Sequence, residues 1–295
     1  FLLLAIQSTF FGPAKYGVVP ELVDDGELSR ANGLLNMLTN IAIIAGIVIA
    51  GPVSDGYFPM IGDQPDPTRT PLRWLPGVVL LLIAGCGLAS VLLMPRLAAC
   101  DPKLRYVFNP LTTYLKALKE MAGGPLLIIA FAWSFFYLVG MMALLILPEY
   151  KNFLMLNGEL IDFTQNSYLF ATLAVAIGVG SLLAGLISGR HIRPGLTAIG
   201  AVGMTGSFIA LGFLPANYWI VAAMLLIAGI FAGIYIVPLQ ALLQKLSPDD
   251  ERGRFLGTAN ALSFVFSSLG AIIYWISANV MTPAGWKTCL LYTSD

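Results

Sequence analysis

Eight continuous apolar runs constrain this chain more than any other feature. They lie at 1–22, 32–54, 75–95, 125–147, 167–188, 195–214, 218–240 and 256–280. A helix rising 1.5 Å per residue needs roughly 20 residues to cross a ~30 Å hydrocarbon core. Inside lipid every backbone N–H and C=O must find its partner within the protein, which leaves helices or closed barrels. The runs are unbroken rather than alternating with period two, so barrel strands are excluded. With 58% hydrophobic and 11% charged residues and a mean hydropathy of +0.82, the soluble globular class is excluded too. The expected fold is an all-α polytopic membrane protein with about eight spans.

The charges orient these spans. Only Arg69, Arg73, Lys151 and Lys287 fall on one side. The other side holds Lys15, Arg30, Arg96, Lys103, Arg105, Lys116, Lys119, Arg190, Arg193, Lys245, Arg252 and Arg254. The positive-inside rule makes that second side cytoplasmic, so the first span runs inward. His191 is the only histidine, which excludes His-based metal sites and Ser-His-Asp catalysis, and the three cysteines lack metal-ligand spacing. No catalytic residue, metal, cofactor or nucleic-acid partner is expected.

The basic connection at 96–124 is the expected seam between two bundles, 1–95 and 125–295. Within it Tyr114 to Glu120 has helical spacing, with Leu115 and Leu118 on one side. An internal repeat supports the seam. Asp24-Asp25, Arg30 and Ala31-Asn32 in the first part correspond to Asp249-Asp250, Arg252 or Arg254 and Ala259-Asn260 in the second. Acids at a helix start also complement its dipole, so the pattern has a local explanation as well.

A parallel duplication joined by a long cytoplasmic loop resembles the plan of major facilitator transporters. Gly185-Leu-Ile-Ser-Gly-Arg-His-Ile-Arg193 resembles a degenerate copy of that superfamily's Gly-x-x-x-Asp-Arg-x-x-Arg loop, with Gly189 at the usual Asp. Within it, Pro13-Ala-Lys-Tyr-Gly17, Leu28-Ser-Arg-Ala-Asn-Gly-Leu34, Gly51-Pro-Val-Ser-Asp55, Asp101-Pro-Lys with Asn109-Pro110, and Ile177 to Gly185 resemble the lysophospholipid transporter group. The resemblance implies two six-helix bundles. The chain, opening on Phe1 inside an apolar run, is then read as spans four to eleven of twelve. It also implies inward translocation of lysophospholipids such as lysophosphatidylethanolamine across a bacterial inner membrane, for reacylation by a fused or associated acyltransferase. The stretches 125–147 and 167–188 carry no charge, unlike the standalone transporters expected in the group, and lean towards the fused branch. The rival functions are an exporter of drugs or small amphiphiles and a membrane module feeding an acyltransferase.

Lys15 is the leading candidate residue. A cation within a span costs about 2.5–3.5 kcal/mol on insertion scales. If the inner boundary lies near residues 21–23, Lys15 sits ~9–12 Å above it, within reach of snorkelling. Contact with a substrate phosphate, an internal ion pair and snorkelling all remain open. Pro13, Gly12 and Gly17 suggest a helix broken beside the charge. Asn32, Asn36 and Asn40 repeat every four residues and share one face, which must look into the bundle or a cavity. Tyr16, Tyr137, Gln240 and Asn260 complete the expected substrate pathway, and the aromatic run from Phe131 to Tyr137 reads as packing or lipid contact. Asp24, Asp25, Arg30, Arg190, Arg193, Asp249, Asp250, Arg252 and Arg254 form either a cytoplasmic gate of ion pairs or a solvated loop.

Overall fold

The computed structural model describes residues 2–57, 60–61, 64–65, 70–94, 109–156, 158–161 and 163–281. Residues 95–108 of the expected connection, and 282–295, lie outside them. Among the described residues there are nine α-helices: α1 Leu2–Leu22, α2 Leu28–Tyr57, α3 Leu75–Leu92, α4 Pro110–Met121, α5 Leu126–Ile146, α6 Phe163–Ser188, α7 Gly195–Phe213, α8 Tyr218–Leu246 and α9 Arg252–Met281. Two short antiparallel hairpins, β1–β2 (Met60–Ile61, Gln64–Pro65) and β3–β4 (Met155–Leu156, Glu159–Leu160), lie between helices.

Six of these helices are long and apolar enough to cross a membrane: Leu75–Leu92, Leu126–Tyr150, Gln165–Ser188, Gly195–Phe213, Tyr218–Leu246 and Arg252–Asn279. They match six of the eight expected spans. The other two expected spans fall on α1 and α2, helices of 21 and 30 residues. The expected break in α1 is absent, and the helix continues through Pro13 and Pro20. The connections are also tighter than expected. Helix α8 runs on to Leu246 and α9 starts at Arg252, so the polar residues read as a loop at 241–255 are largely helical.

Sequence accounts for the ends. Asn217 caps α8, its side chain accepting from the Trp219 N–H at 2.9 Å, and Asn109 caps α4 by accepting from Thr112 N–H at 3.3 Å. The buried face of α4 carries Ala117 and Met121, whereas Leu115 is exposed, so the apolar stripe is offset from the expected one.

The chain forms two compact units, one of Phe1–Asn40 with Asp101–Asp295 and one of Ile41–Cys100. In the second, α3 has no buried residue, and the Leu72 N–H donates to the Gly56 carbonyl at 2.8 Å. In the first, α8 is the most buried helix and packs against α6 and α7. The approach of α6 to α8 is close because small residues line it. A Cβ at Gly180 would lie 2.0 Å from the Ile230 carbonyl oxygen, and one at Gly233 would lie 2.3 Å from Ser181 N. Lipid tails supply no hydrophobic drive between helices, so such backbone proximity is what holds a membrane bundle together.

Any side chain at Gly180 must therefore push two helix backbones apart, since no flexible atom can yield. Gly180→Ala is expected to lower the melting temperature of the full-length protein in detergent by several degrees, from overpacking of about 1–3 kcal/mol. Gly206→Ala on α7, where nothing lies within 4 Å, should leave it unchanged or raise it slightly.

Candidate functional site

Two Asn–Gln pairs join α2 to α8. The Asn32 side chain donates to Gln244 Oε1 at 2.5 Å, and Gln244 Nε2 returns a bond to Asn32 Oδ1 at 3.2 Å. One turn on, Asn36 donates to Gln240 Oε1 at 2.6 Å. The rungs pair 32 with 244 and 36 with 240, as antiparallel helices require. Gln244 also donates to the Tyr16 carbonyl at 2.9 Å, which ties α1 into the same layer. Asn32, Gln240 and Gln244 are all buried, so each amide needs these partners. Asn40 donates to the Asn36 carbonyl at 2.9 Å and makes no rung of its own.

Aromatic rings back this layer. The Tyr16 side chain engages Tyr137 and Gln240. Trp133 stands edge-on to Tyr16 and Tyr137, with centroids 5.8 and 5.3 Å away. The space left between Tyr16, Trp133, Gln240, Leu243, Gln244 and Leu256 is only about 10 Å³. That is about the room one water needs, so the layer is closed to anything larger.

Lys15 reaches from this layer towards the N-terminal end of α1. Its ammonium donates to Thr39 Oγ1 at 2.8 Å and sits 5.7 Å from the centroid of the Tyr16 ring. Thr39 is seven residues beyond Asn32 on α2, about 10 Å further along that helix. The cause is elementary: side chains tilt towards their helix N-terminus. Lys15 thus points away from the Leu22 end of α1, against the expected snorkelling towards residues 21–23. No carboxylate pairs with it among the described residues. On α9, Asn260 packs against Gly12, its amide 3.2 Å from where a Cβ would be. Gly12 therefore serves helix contact rather than a bend.

At the end of α1 and the α8–α9 connection, charges cross between the expected halves. Arg252 pairs with Glu21 at 3.0 Å, and with Asp249 on its own side. Lys245 pairs with Asp25 at 3.6 Å. Arg254 bridges Glu120 of α4 and Glu251. Among the described residues Arg30 meets only Glu27, at 3.8 Å. Among the described residues, Asp24, Asp250, Arg190 and Arg193 form no ion pair.

Thr39, Gln244, Trp133, Glu21, Lys245 and Glu120 were not among the expected site residues. Gln240 and Gln244 repeat at four residues as the asparagines do, a signal present in the sequence. The aromatic run divides by face: Phe131 and Phe135 are exposed as expected for lipid contact, but Trp133 is 2% exposed and looks inward.

The sequence profile of the Major Facilitator Superfamily matches residues 1–287. Curated relatives include the "Lysophospholipid transporter LplT" of Enterobacter sp. (strain 638), 29% identical over 89% of this chain and 60% of that protein. The protein of that name from Klebsiella pneumoniae subsp. pneumoniae is 28% identical over the same shares, and that of Escherichia coli O139:H28 is 27% identical. The chain thus spans about three fifths of the length of the curated relatives it matches. No solved structure gives a significant match. Its helical, multi-pass architecture and a profile match over nearly its whole length show that the chain belongs to the Major Facilitator Superfamily.

Proposed function

We propose that this chain is the part of a lysophospholipid transporter that holds the substrate headgroup and closes the path to the cytoplasm of a bacterial inner membrane. Lys15 carries the proposal. It is an ammonium on an inward-running helix, held half-buried by a hydroxyl and an aromatic face. A lysophospholipid supplies the phosphodiester that such a cation lacks, and the low dielectric around it strengthens the pairing. The likeness to relatives named lysophospholipid transporters supports the same substrate class.

In this reading the bundles are 1–95 and 125–295, spans four to six and seven to eleven, and transport is a rocking of one against the other. The inner gate has two tiers. The outermost is ionic, Glu21–Arg252 and Asp25–Lys245. Above it the amide rungs Asn32–Gln244 and Asn36–Gln240 seal the layer beneath Lys15. Both tiers are polar, so water entering an opened gate can replace each bond, at a net cost of about 0.5–1.5 kcal/mol apiece. The substrate's single acyl chain lies along the uncharged second bundle, and reacylation falls to an acyltransferase, fused or separate.

Uptake of labelled lysophosphatidylethanolamine by cells or vesicles carrying the full-length protein tests this. The parent protein is expected to import the lipid, Lys15→Ala to lose at least about tenfold of that rate, as one charge-assisted contact implies, and Lys15→Arg to retain part of it. No import by the parent sinks the lipid assignment. Normal import by Lys15→Ala removes Lys15 from the site and leaves the assignment standing.

Charge reversal tests the gate separately. Arg252→Glu sets three acids, Glu21, Asp249 and the new one, in one cluster. It should raise labelling of a cysteine placed at Leu243, which lines the closed layer, by a maleimide supplied from the cytoplasmic side. Unchanged labelling and unchanged transport would mean the ion pairs are only a solvated surface feature.

A further inference from the structure

A second basic site lies outside the pathway. The cytoplasmic end of α2 and that of α6 face each other across a cleft of about 310 Å³ lined by Glu27, Arg30, Gly185, Leu186, Gly189 and Arg190. Glycines bring the two ends together. A Cβ at Gly185 would fall 3.0 Å from the Ser29 carbonyl oxygen and 3.2 Å from Arg30 Cα, and one at Gly26 would fall 3.3 Å from the Arg190 carbonyl oxygen. Gly189, with φ +55°, then turns the chain out of α6 in the left-handed region, which a side chain rarely adopts. One arginine is thus fixed to each wall by its backbone.

The charge of the cleft is unbalanced. Arg30 is held only by Glu27, at 3.8 Å with the Arg30 side chain 67% exposed, and Arg190 has no carboxylate partner among the described residues. The Ser29 and Ser188 hydroxyls, next in sequence to Arg30 and Gly189, are buried without a hydrogen-bond partner. Two guanidinium forks and one acid leave a net positive cleft at the cytoplasmic surface, where membranes carry anionic lipid. The walls continue as apolar surface. Leu186 lines the cleft at 55% exposure, and Leu34, Leu38, Leu183 and Ile187 are exposed on the same two helices. A free phosphate needs no such surface, whereas acyl chains do.

We infer that the α2–α6 cleft binds the phosphate of an anionic membrane phospholipid through Arg30 and Arg190, with its acyl chains on the exposed leucines of both helices. The site is separate from Lys15, which lies beyond the amide rungs, and it holds whatever the transported substrate is. A lipid seated there bridges α2 and α6, and must leave or follow one helix when these ends separate. It therefore favours the arrangement in which they are together.

Native mass spectrometry of the full-length protein in detergent, with added phosphatidylglycerol, phosphatidylcholine or inorganic phosphate, tests this. Phosphatidylglycerol should be retained in preference to phosphatidylcholine, and Arg30→Gln with Arg190→Gln should cut its apparent affinity about tenfold. Lys116→Gln with Lys119→Gln removes as much cytoplasmic charge elsewhere and should change it less than twofold. Should the glutamine pair fail to fold by thermal melt, Arg30→Lys with Arg190→Lys keeps the charge, loses the forks and is expected to lose at least threefold. Equal retention of the two lipids, equal effects of the two glutamine pairs, no loss in the lysine pair, or displacement of the lipid by millimolar inorganic phosphate would each overturn the inference.

Discussion

The rest of the larger unit depends on how close α6 and α8 come. With Gly180 and Gly233 at the contact, backbone meets backbone, and α8 becomes the pillar against which α6 and α7 are set. The same face of α8 carries the amides. Gln240 and Gln244 lie seven and eleven residues after Gly233, about two and three turns along the helix. The face that meets α6 at Gly233 therefore meets Asn36 and Asn32 of α2 further on, with the Tyr16 carbonyl of α1 beside them. One face of α8 thus serves both the glycine contact and the buried amides.

The two kinds of interface respond differently to water. Where α6 and α8 touch, opening would replace dispersion contacts with a void or lipid, and no compensating bond would form. Where α1 and α2 meet α8 and α9, amide pairs and ion pairs, each of which water can replace, lie beside the apolar contact of Val19 and Leu28 with Ala241. Unequal exposure adds a contrast between the two ion pairs. Arg252 is mostly buried, its side chain 12% exposed, so its pair with Glu21 outweighs the exposed Lys245–Asp25 pair, which solvent and salt screen.

Much of this architecture is legible in the sequence, because crossing a bilayer imposes length and apolarity that hydropathy reads directly. The six strongest spans and the amphipathic α4 follow from that alone. Boundaries were misplaced where helices carry polar residues in their last turns, as α8 does with Gln240, Gln244 and Lys245. Hydropathy ends there, but the backbone hydrogen bonds run on to Leu246. The asparagine stripe announced an inward face; its glutamine partners lie more than 200 residues away and carry no local mark. The acid partners show the same limit. The paired motifs draw attention to Asp24 and Asp25, of which Asp25 meets Lys245, while Arg252 reaches Glu21 in the last turn of α1.

Lys15 shows what chain direction adds to composition. An isolated lysine near the inner boundary of a span has an inexpensive escape along its own stem to the interface. That escape is open only if the stem tilts that way, and tilt is set by which end of the helix is the N-terminus. On a helix of opposite chain direction the same lysine would lean towards the acids at 21–27. On α1 it leans to Thr39, with the Tyr16 layer between it and those acids. The charge therefore remains desolvated and incompletely matched, because neither a hydroxyl nor an aromatic face neutralises an ammonium. A mobile anion reaching it from the Thr39 side would remove that mismatch without disturbing the amide rungs. Direction of the helix, more than depth of the residue, decides which partners this charge can reach.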